Sequence, residues 1–247
     1  MIHREYLTIT VEMDDLDGQS EKNGIDMRIG LFGGTFNPVH IGHLRAALEV
    51  VEKFPLDECY LVPAATPPHK ATGDMVDANI RCDMIRRAVA GQAGLKVSDI
   101  ELKRPGPSYT VDTVRLFREK FSDTARLYLI VGLDAFLELD TWKSYRTLLN
   151  SVALIVMSRP ERGLETSTER WQALNDFLCH GISKEYTGSE ERSVFSHPQL
   201  MPIHVINVTM LDISSSKIRE LIRSGCSVRY LLPAEVLDIV ESRGLYV

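Results

Sequence analysis

The stretch Gly30 to His43, GLFGGTFNPVHIGH, concentrates glycines, a proline and two histidines where a short apolar run meets an apolar-periodic one. Gly33 and Gly34 allow a tight turn and a close approach of backbone N–H groups to a phosphate. His40 and His43 stand three residues apart at the start of the periodic segment, LRAALEVVEKF. On a helix this spacing puts both rings on one side, at the end whose dipole attracts an anion. Phosphate binding is the chemistry such a group suits. Each part alone has an ordinary reading: Gly-Gly as a turn, a histidine as a cap or packing residue. The stretch is not a Walker loop, since no Gly-Lys-Ser/Thr follows, and it is not Gly-x-Gly-x-x-Gly.

A second group lies near the C-terminus. Ser214, Ser215 and Ser216 precede KIRELI, an amphipathic pattern. Serines there are ordinary N-caps, but a capped helix start is also an anion site, and Lys217 and Arg219 add positive charge. His69 and Lys70 follow two prolines that stiffen a loop; a solvated lysine is the plain alternative. Gly132 and Asp134 close the run LYLIVG, where a carboxylate could accept from ribose hydroxyls or cap the next helix. Trp142 sits among polar residues, LDTWKSY, and offers a plane for stacking on an aromatic ring. Trp171 keeps helical spacing with Leu174 and Leu178 and reads as structural.

The elements that must hold these residues alternate. Strands are expected at 28–32, 59–64, 95–102, 126–132, 151–158 and 203–208. Helices are expected at 44–54, 79–90, 111–121, 214–225 and 233–244, with one amphipathic helix around 171–178 in an otherwise irregular 160–200. Alternation of this kind implies a parallel, doubly wound α/β sheet, in which ligands bind beyond the carboxyl ends of the strands. The stretch GGTFNPVHIGH follows the first strand and so lies at that edge.

Composition narrows the class. The 247 residues carry a formal charge of −6, which argues against a nucleic-acid coat. Four cysteines with no Cys-x-x-Cys pair suit a reduced cytosol better than a disulfide framework or a zinc site. The longest apolar runs are strand length, too short to span a bilayer, and the N-terminus does not read as a secretory signal. Residues 12–26 are acidic and polar, a composition that cannot bury enough apolar surface to order itself. Residues 1–26 are therefore expected to be a tail with no part in the chemistry, and residues 27–247, from Met27, a single domain.

FNPVHIGH resembles the Gly-x-Phe-x-Pro-x-His-x-Gly-His signature of the nucleotidyltransferase superfamily, whose fold is Rossmann-like. DISSSKIR (212–219) resembles its C-terminal Ile-Ser-Ser/Thr-x-x-Ile-Arg element. With PPHK (67–70), GPSYTVDT (106–113), GLDAFLELDTWK (132–143) and LLP (231–233), the chain resembles the bacterial nicotinate-mononucleotide adenylyltransferases across residues 27–247. Asn37 departs from the pattern, which often has Asp; Asn keeps the acceptor oxygen and loses the charge.

The resemblance implies adenylyl transfer from ATP to nicotinate mononucleotide, giving nicotinate adenine dinucleotide and pyrophosphate, in NAD biosynthesis. It assigns catalysis to His40, His43 and Arg219. It places ATP on Gly33, Gly34, Thr35, Phe36, His40, His43, Gly132, Asp134, Ser214, Ser215, Ser216 and Arg219. Nicotinate mononucleotide falls to Asn37, His69, Lys70, Thr110, Trp142 and Lys143, with Trp142 stacking on the base and the amides of Thr110 and Lys143 meeting its carboxylate. Mg²⁺ would travel with ATP, without a dedicated carboxylate cage. Neither nucleic acid nor membrane is an expected partner; a homo-oligomer is possible. The letters His-Ile-Gly-His also occur in class I aminoacyl-tRNA synthetases, but 247 residues leave little room for an anticodon-recognition region. Phosphopantetheine and cytidylyl transferases lack the PPHK, PSYT and TWK series, and a non-catalytic nucleotide sensor would have no need of His40, His43 and Arg219.

Overall fold

In the computed structural model, which describes residues 27–68, 75–160 and 163–247, the first strand β1 (Met27–Gly34) lies inside the sheet with later strands on both sides. The chain continues through α1 (Ile41–Lys53), β2 (Glu58–Pro63), α2 (Ala78–Ala88), β3 (Leu95–Val97) and α3 (Thr110–Phe121). Next come β4 (Ala125–Gly132), the one-turn α4 (Leu133–Phe136), α5 (Tyr145–Ser151) and β5 (Ala153–Ser158). The last part holds α6 (Ser167–Asp176), β6 (Thr187–Ser189), β7 (Val194–Ser196), β8 (Ile203–Asn207), α7 (Ser215–Arg223) and α8 (Ala234–Ser242).

Strand order is β3-β2-β1-β4-β5-β8-β7-β6. The six strands from β3 to β8 run parallel. After β1 the chain moves outward to β2 and β3, then returns to place β4 on the other side. The switch point therefore lies between β1 and β4, where a doubly wound sheet opens a crevice.

Alternation along the strands fills both faces. On β5, Ala153, Ile155 and Met157 join the cluster containing Phe36, Val50 and Val236, while Leu154 and Val156 join the one containing Phe117, Leu133 and Leu174. Strands buried on both faces read as unbroken apolar runs, which is why β4 and β5 stand out in the sequence.

Two expectations about elements are corrected. The strand expected over 95–102 ends at Val97, because Leu102 and Lys103 turn back to donate to the Asp99 carbonyl. The stretch 160–200, expected to be irregular outside one helix, also forms the β6–β7 hairpin, which pairs antiparallel with β8 and makes the sheet mixed. Trp171 is structural as expected, stacked on Phe195 of β7 at 4.3 Å. The expected tail, residues 1–26, lies outside the described residues.

Candidate active site

A cavity of about 480 Å³ opens at the carboxyl ends of the central strands. Phe32 and Gly34 reach it from β1, Gly132 from β4, Met157 and Arg159 from the end of β5, and Val208 from just past β8. The starts of α1 and α7 close it, so the positive dipole ends of two helices face one space.

The turn after β1 is tight for a local reason. Phe36 takes φ +48° and lays its ring over Gly34, where a Cβ would lie 2.9 Å from the ring. Phe36 then stands edge-on to His43 at 5.0 Å, so the turn buttresses the imidazole.

His40 occupies the N-cap of α1. His43 N–H donates to His40 Nδ1 and His40 N–H donates to His43 Nδ1, both at 3.4 Å. This is a capping box made of two imidazoles. Because each Nδ1 accepts, the neutral tautomer of each ring carries its proton on Nε2. Burial, aided by the charge of Arg159, pushes the His40 pKa down to about 4. Gly42 permits the arrangement, since a Cβ there would press on the His40 ring at 3.1 Å.

Three serines start α7 with separate tasks. Ser214 is the N-cap and accepts from Lys217 N–H at 3.2 Å. Ser215 Oγ donates to Pro38 O at 2.9 Å, tying α7 to the turn after β1. Ser216 accepts weakly from Arg219 Nη2 at 3.4 Å, while Arg219 Nη1 donates to Asn37 O at 2.9 Å. The Arg219 Nε–H is buried and unpaired among the described residues. Lys217 points elsewhere, to Glu220.

Asn37 is committed structurally. Its Oδ1 accepts from Val76 N–H at 3.2 Å and from the Tyr246 hydroxyl at 2.9 Å. Asp134 is exposed in the first turn of α4, beside Gly132, which holds the cap position itself.

The cavity thus gathers Gly34, Thr35, Phe36, Asn37, His40, His43, Gly132, Asp134, Ser214, Ser215, Ser216 and Arg219. Gly33 stays in the ladder opposite Val62 and does not line it. His69 and Lys70 lie outside the described residues.

Thr110, Trp142 and Lys143 form a separate group that does not line the cavity. Lys143 Nζ sits 4.0 Å above the Tyr109 ring and 3.7 Å from Asp112, so the Trp142–Lys143 turn meets the start of α3 beside Thr110. Among the described residues the N–H groups of Thr110 and Lys143 have no acceptor. Ser108 Oγ accepts from Ala65 and Thr66 N–H, docking this group on the loop after β2. Trp142, expected to offer a plane for stacking, is also partly buried against the core.

Sequence reasoning missed Arg159, Arg81 and Tyr246. Only Arg81 carried a signal: it shares a helical stripe with Met84, Ile85 and Ala88.

The chain matches the cytidylyltransferase-like family over residues 31–221. It is 40% identical over 221 residues to a probable nicotinate-nucleotide adenylyltransferase of Desulfatibacillum aliphaticivorans, covering 89% of this chain and 100% of that protein. It is 43% identical to one from Pseudomonas fluorescens, covering 89% and 97%. Among solved structures, the nicotinic acid mononucleotide adenylyltransferase of Plasmodium falciparum complexed with NaAD superposes with a TM-score of 0.66 at 16% identity, covering 89% of this chain and 97% of that one.

Proposed function

The chain belongs to the cytidylyltransferase-like family and within it to the nicotinate-nucleotide adenylyltransferases, and from that premise we infer that it transfers the adenylyl group of ATP to nicotinate mononucleotide in NAD biosynthesis. The mononucleotide phosphate attacks the α-phosphorus of ATP and pyrophosphate leaves. The nucleophile arrives already ionised, so the protein has to align two anions and offset the charge that builds between them.

The observation that carries this reading is the meeting of two helix N-termini, two Nε2–H imidazoles and Arg219 in one cavity. The neutral His40 imidazole can donate Nε2–H to a phosphate oxygen, and the ring of His43 lies stacked beside it. Amides of the turn 34–36 would meet the phosphates from the backbone side, with Arg159 and Arg219 supplying positive charge. On the other side, the unclaimed N–H groups of Thr110 and Lys143 suit a carboxylate, and the Trp142 indole suits a pyridine ring.

Among the described residues no cluster of three or more His, Cys, Asp or Glu could hold a metal. Among the described residues lining the cavity, Asp134 is the only carboxylate. That donor set fits Mg²⁺ brought in on ATP phosphates, where it would neutralise phosphate charge, with Asp134 within the same space. The catalytic domain is taken as residues 27–247; a chain starting at Met27 is expected to match the full chain in turnover. A cytosolic setting is part of the reading, supported by four cysteines that are all thiols. No described helix is long and apolar enough to cross a membrane.

The test is pyrophosphate release. With ATP and nicotinate mononucleotide, release should match dinucleotide formation one to one. Release that required an amino acid and tRNA, or none at all, would overturn the assignment.

A further inference from the structure

Behind the cavity lies a buried cation with no carboxylate in ion-pair contact among the described residues; Asp77 and Glu101 act on it only at longer range. Arg81, on α2, has no solvent exposure, and among the described residues its hydrogen bonds go to backbone carbonyls. Nε donates to Val76 O at 2.8 Å, Nη1 to Thr35 O at 2.5 Å, and Nη2 to Ala64 O at 2.7 Å and more weakly to Ala65 O at 3.4 Å. A buried charge with no direct ion pair is costly, so a side chain that merely filled this space would be apolar.

The carbonyls it holds come from three separate segments. Thr35 is in the turn that runs into His40. Ala64 and Ala65 lead the loop after β2 that Ser108 docks on the start of α3. Val76 follows the segment containing His69 and Lys70 and is itself bonded to Asn37. The Thr35 carbonyl also shares a peptide unit with the Phe36 N–H. A hydrogen bond to that oxygen polarises the unit and makes the N–H a stronger donor.

We propose that Arg81 is a positioning residue for adenylyl transfer: its forked guanidinium fixes the phosphate-facing turn of β1 and the mononucleotide-facing loops in one register, so that the two substrates meet in line. The proposal rests on the adenylyltransferase reading. It separates Arg81 from Trp142, which serves one substrate only.

Arg81→Lys keeps the charge and loses the fork. It should lower kcat by about 10²-fold, the scale of a reactant misplaced by an ångström, and raise KM for ATP and for nicotinate mononucleotide together. Amide hydrogen exchange should quicken at 34–36, 64–66 and 76 and stay unchanged in β4 and β5. Should this variant not fold, Arg81→Gln, whose single amide can serve one carbonyl, is read the same way. A folded variant with kcat within twofold of the parent, or with one KM moved alone, would overturn the proposal. Exchange does not depend on turnover, so a parent that releases no pyrophosphate defeats the functional reading while the exchange pattern still decides whether Arg81 holds the three segments.

Discussion

The imidazoles of His40 and His43 lie stacked, with centroids 3.6 Å apart and planes 28° from parallel, and each ring accepts the other residue's backbone N–H. Capping and chemistry are therefore the same arrangement. The cap occupies both Nδ1 atoms, so any hydrogen bond a ligand receives from these rings comes from Nε2. Stacking at this distance also opposes double protonation, since two imidazolium charges in contact repel.

Removing a preorganised donor to transition-state charge costs roughly 10²–10³ in kcat. His43→Ala is expected to lose at least that much and to bind ATP nearly as well as the parent. The return half of the capping box, His40 N–H to His43 Nδ1, is also lost, at about 1 kcal/mol of stability, so turnover should be measured well below Tm. A near-normal kcat would leave His43 with a capping role alone.

The charge state of His40 is directly measurable. Its folded pKa of about 4 lies below the ordinary 6.5, because burial penalises the imidazolium and Arg159 adds to the penalty. The NMR titration of its ring should have its midpoint near 4, with Nε2 protonated above it. By linkage, the unfolded chain takes up this proton first as pH falls, so His40 subtracts stability across the window from 6.5 down to about 4. A midpoint near 6.5 would mean that the ring is solvated and that burial does not hold it neutral.

How much of this was legible depended on whether a residue's partner was local. The His40–His43 relation spans three positions, and the motif announced it. The strands β4 and β5 announced themselves because both faces are buried. The β6–β7 hairpin did not, because TGS and VFS are too short to show alternation. Arg81 has Arg86 and Arg87 on the same helix, and only its place on the apolar stripe distinguishes it. Tyr246 reaches Asn37 across 209 positions, a contact with no local trace. The commitment of Asn37 Oδ1 to Val76 and Tyr246 was hidden for the same reason.

Glu49 anchors α1 to the segment after β8. It is buried, bonded to Arg45 and Lys53 at 2.8 Å each, and accepts from Thr209 N–H at 3.0 Å. Burial alone would raise its pKa, but the hydrogen bonds from Lys53, Thr209 and Arg45 outweigh it and bring the value down to about 2. Its stabilisation is complete above the ordinary 4.5 and is lost as pH falls toward about 2. Glu49→Gln should cost on the order of 2 kcal/mol at neutral pH, or roughly 4–8 °C in Tm for a chain of this size. The gap between variant and parent should shrink at pH 3. A gap independent of pH would assign the loss to packing instead.

Base selectivity tests the second group of residues. A carboxylate and a carboxamide have nearly the same shape, so a ring stacked on Trp142 cannot separate nicotinate from nicotinamide. The polar rim must do so. If the Thr110 and Lys143 N–H groups form that rim, both can donate to a carboxylate, whereas an amide NH₂ meets one of them donor to donor. An unsatisfied buried donor costs about 1–3 kcal/mol, and a charged acceptor strengthens the bond it receives, so nicotinate should be favoured roughly tenfold or more. Trp142→Ala removes the stacking plane common to both substrates and should weaken them alike, leaving their kcat/KM ratio nearly unchanged. Because the indole is partly buried against the core, some loss of Tm accompanies the change without altering that ratio. Equal use of the two mononucleotides by the parent would sink the nicotinate assignment. A ratio that collapses only in the variant would show instead that the indole holds the Lys143 turn, and with it the rim, in place.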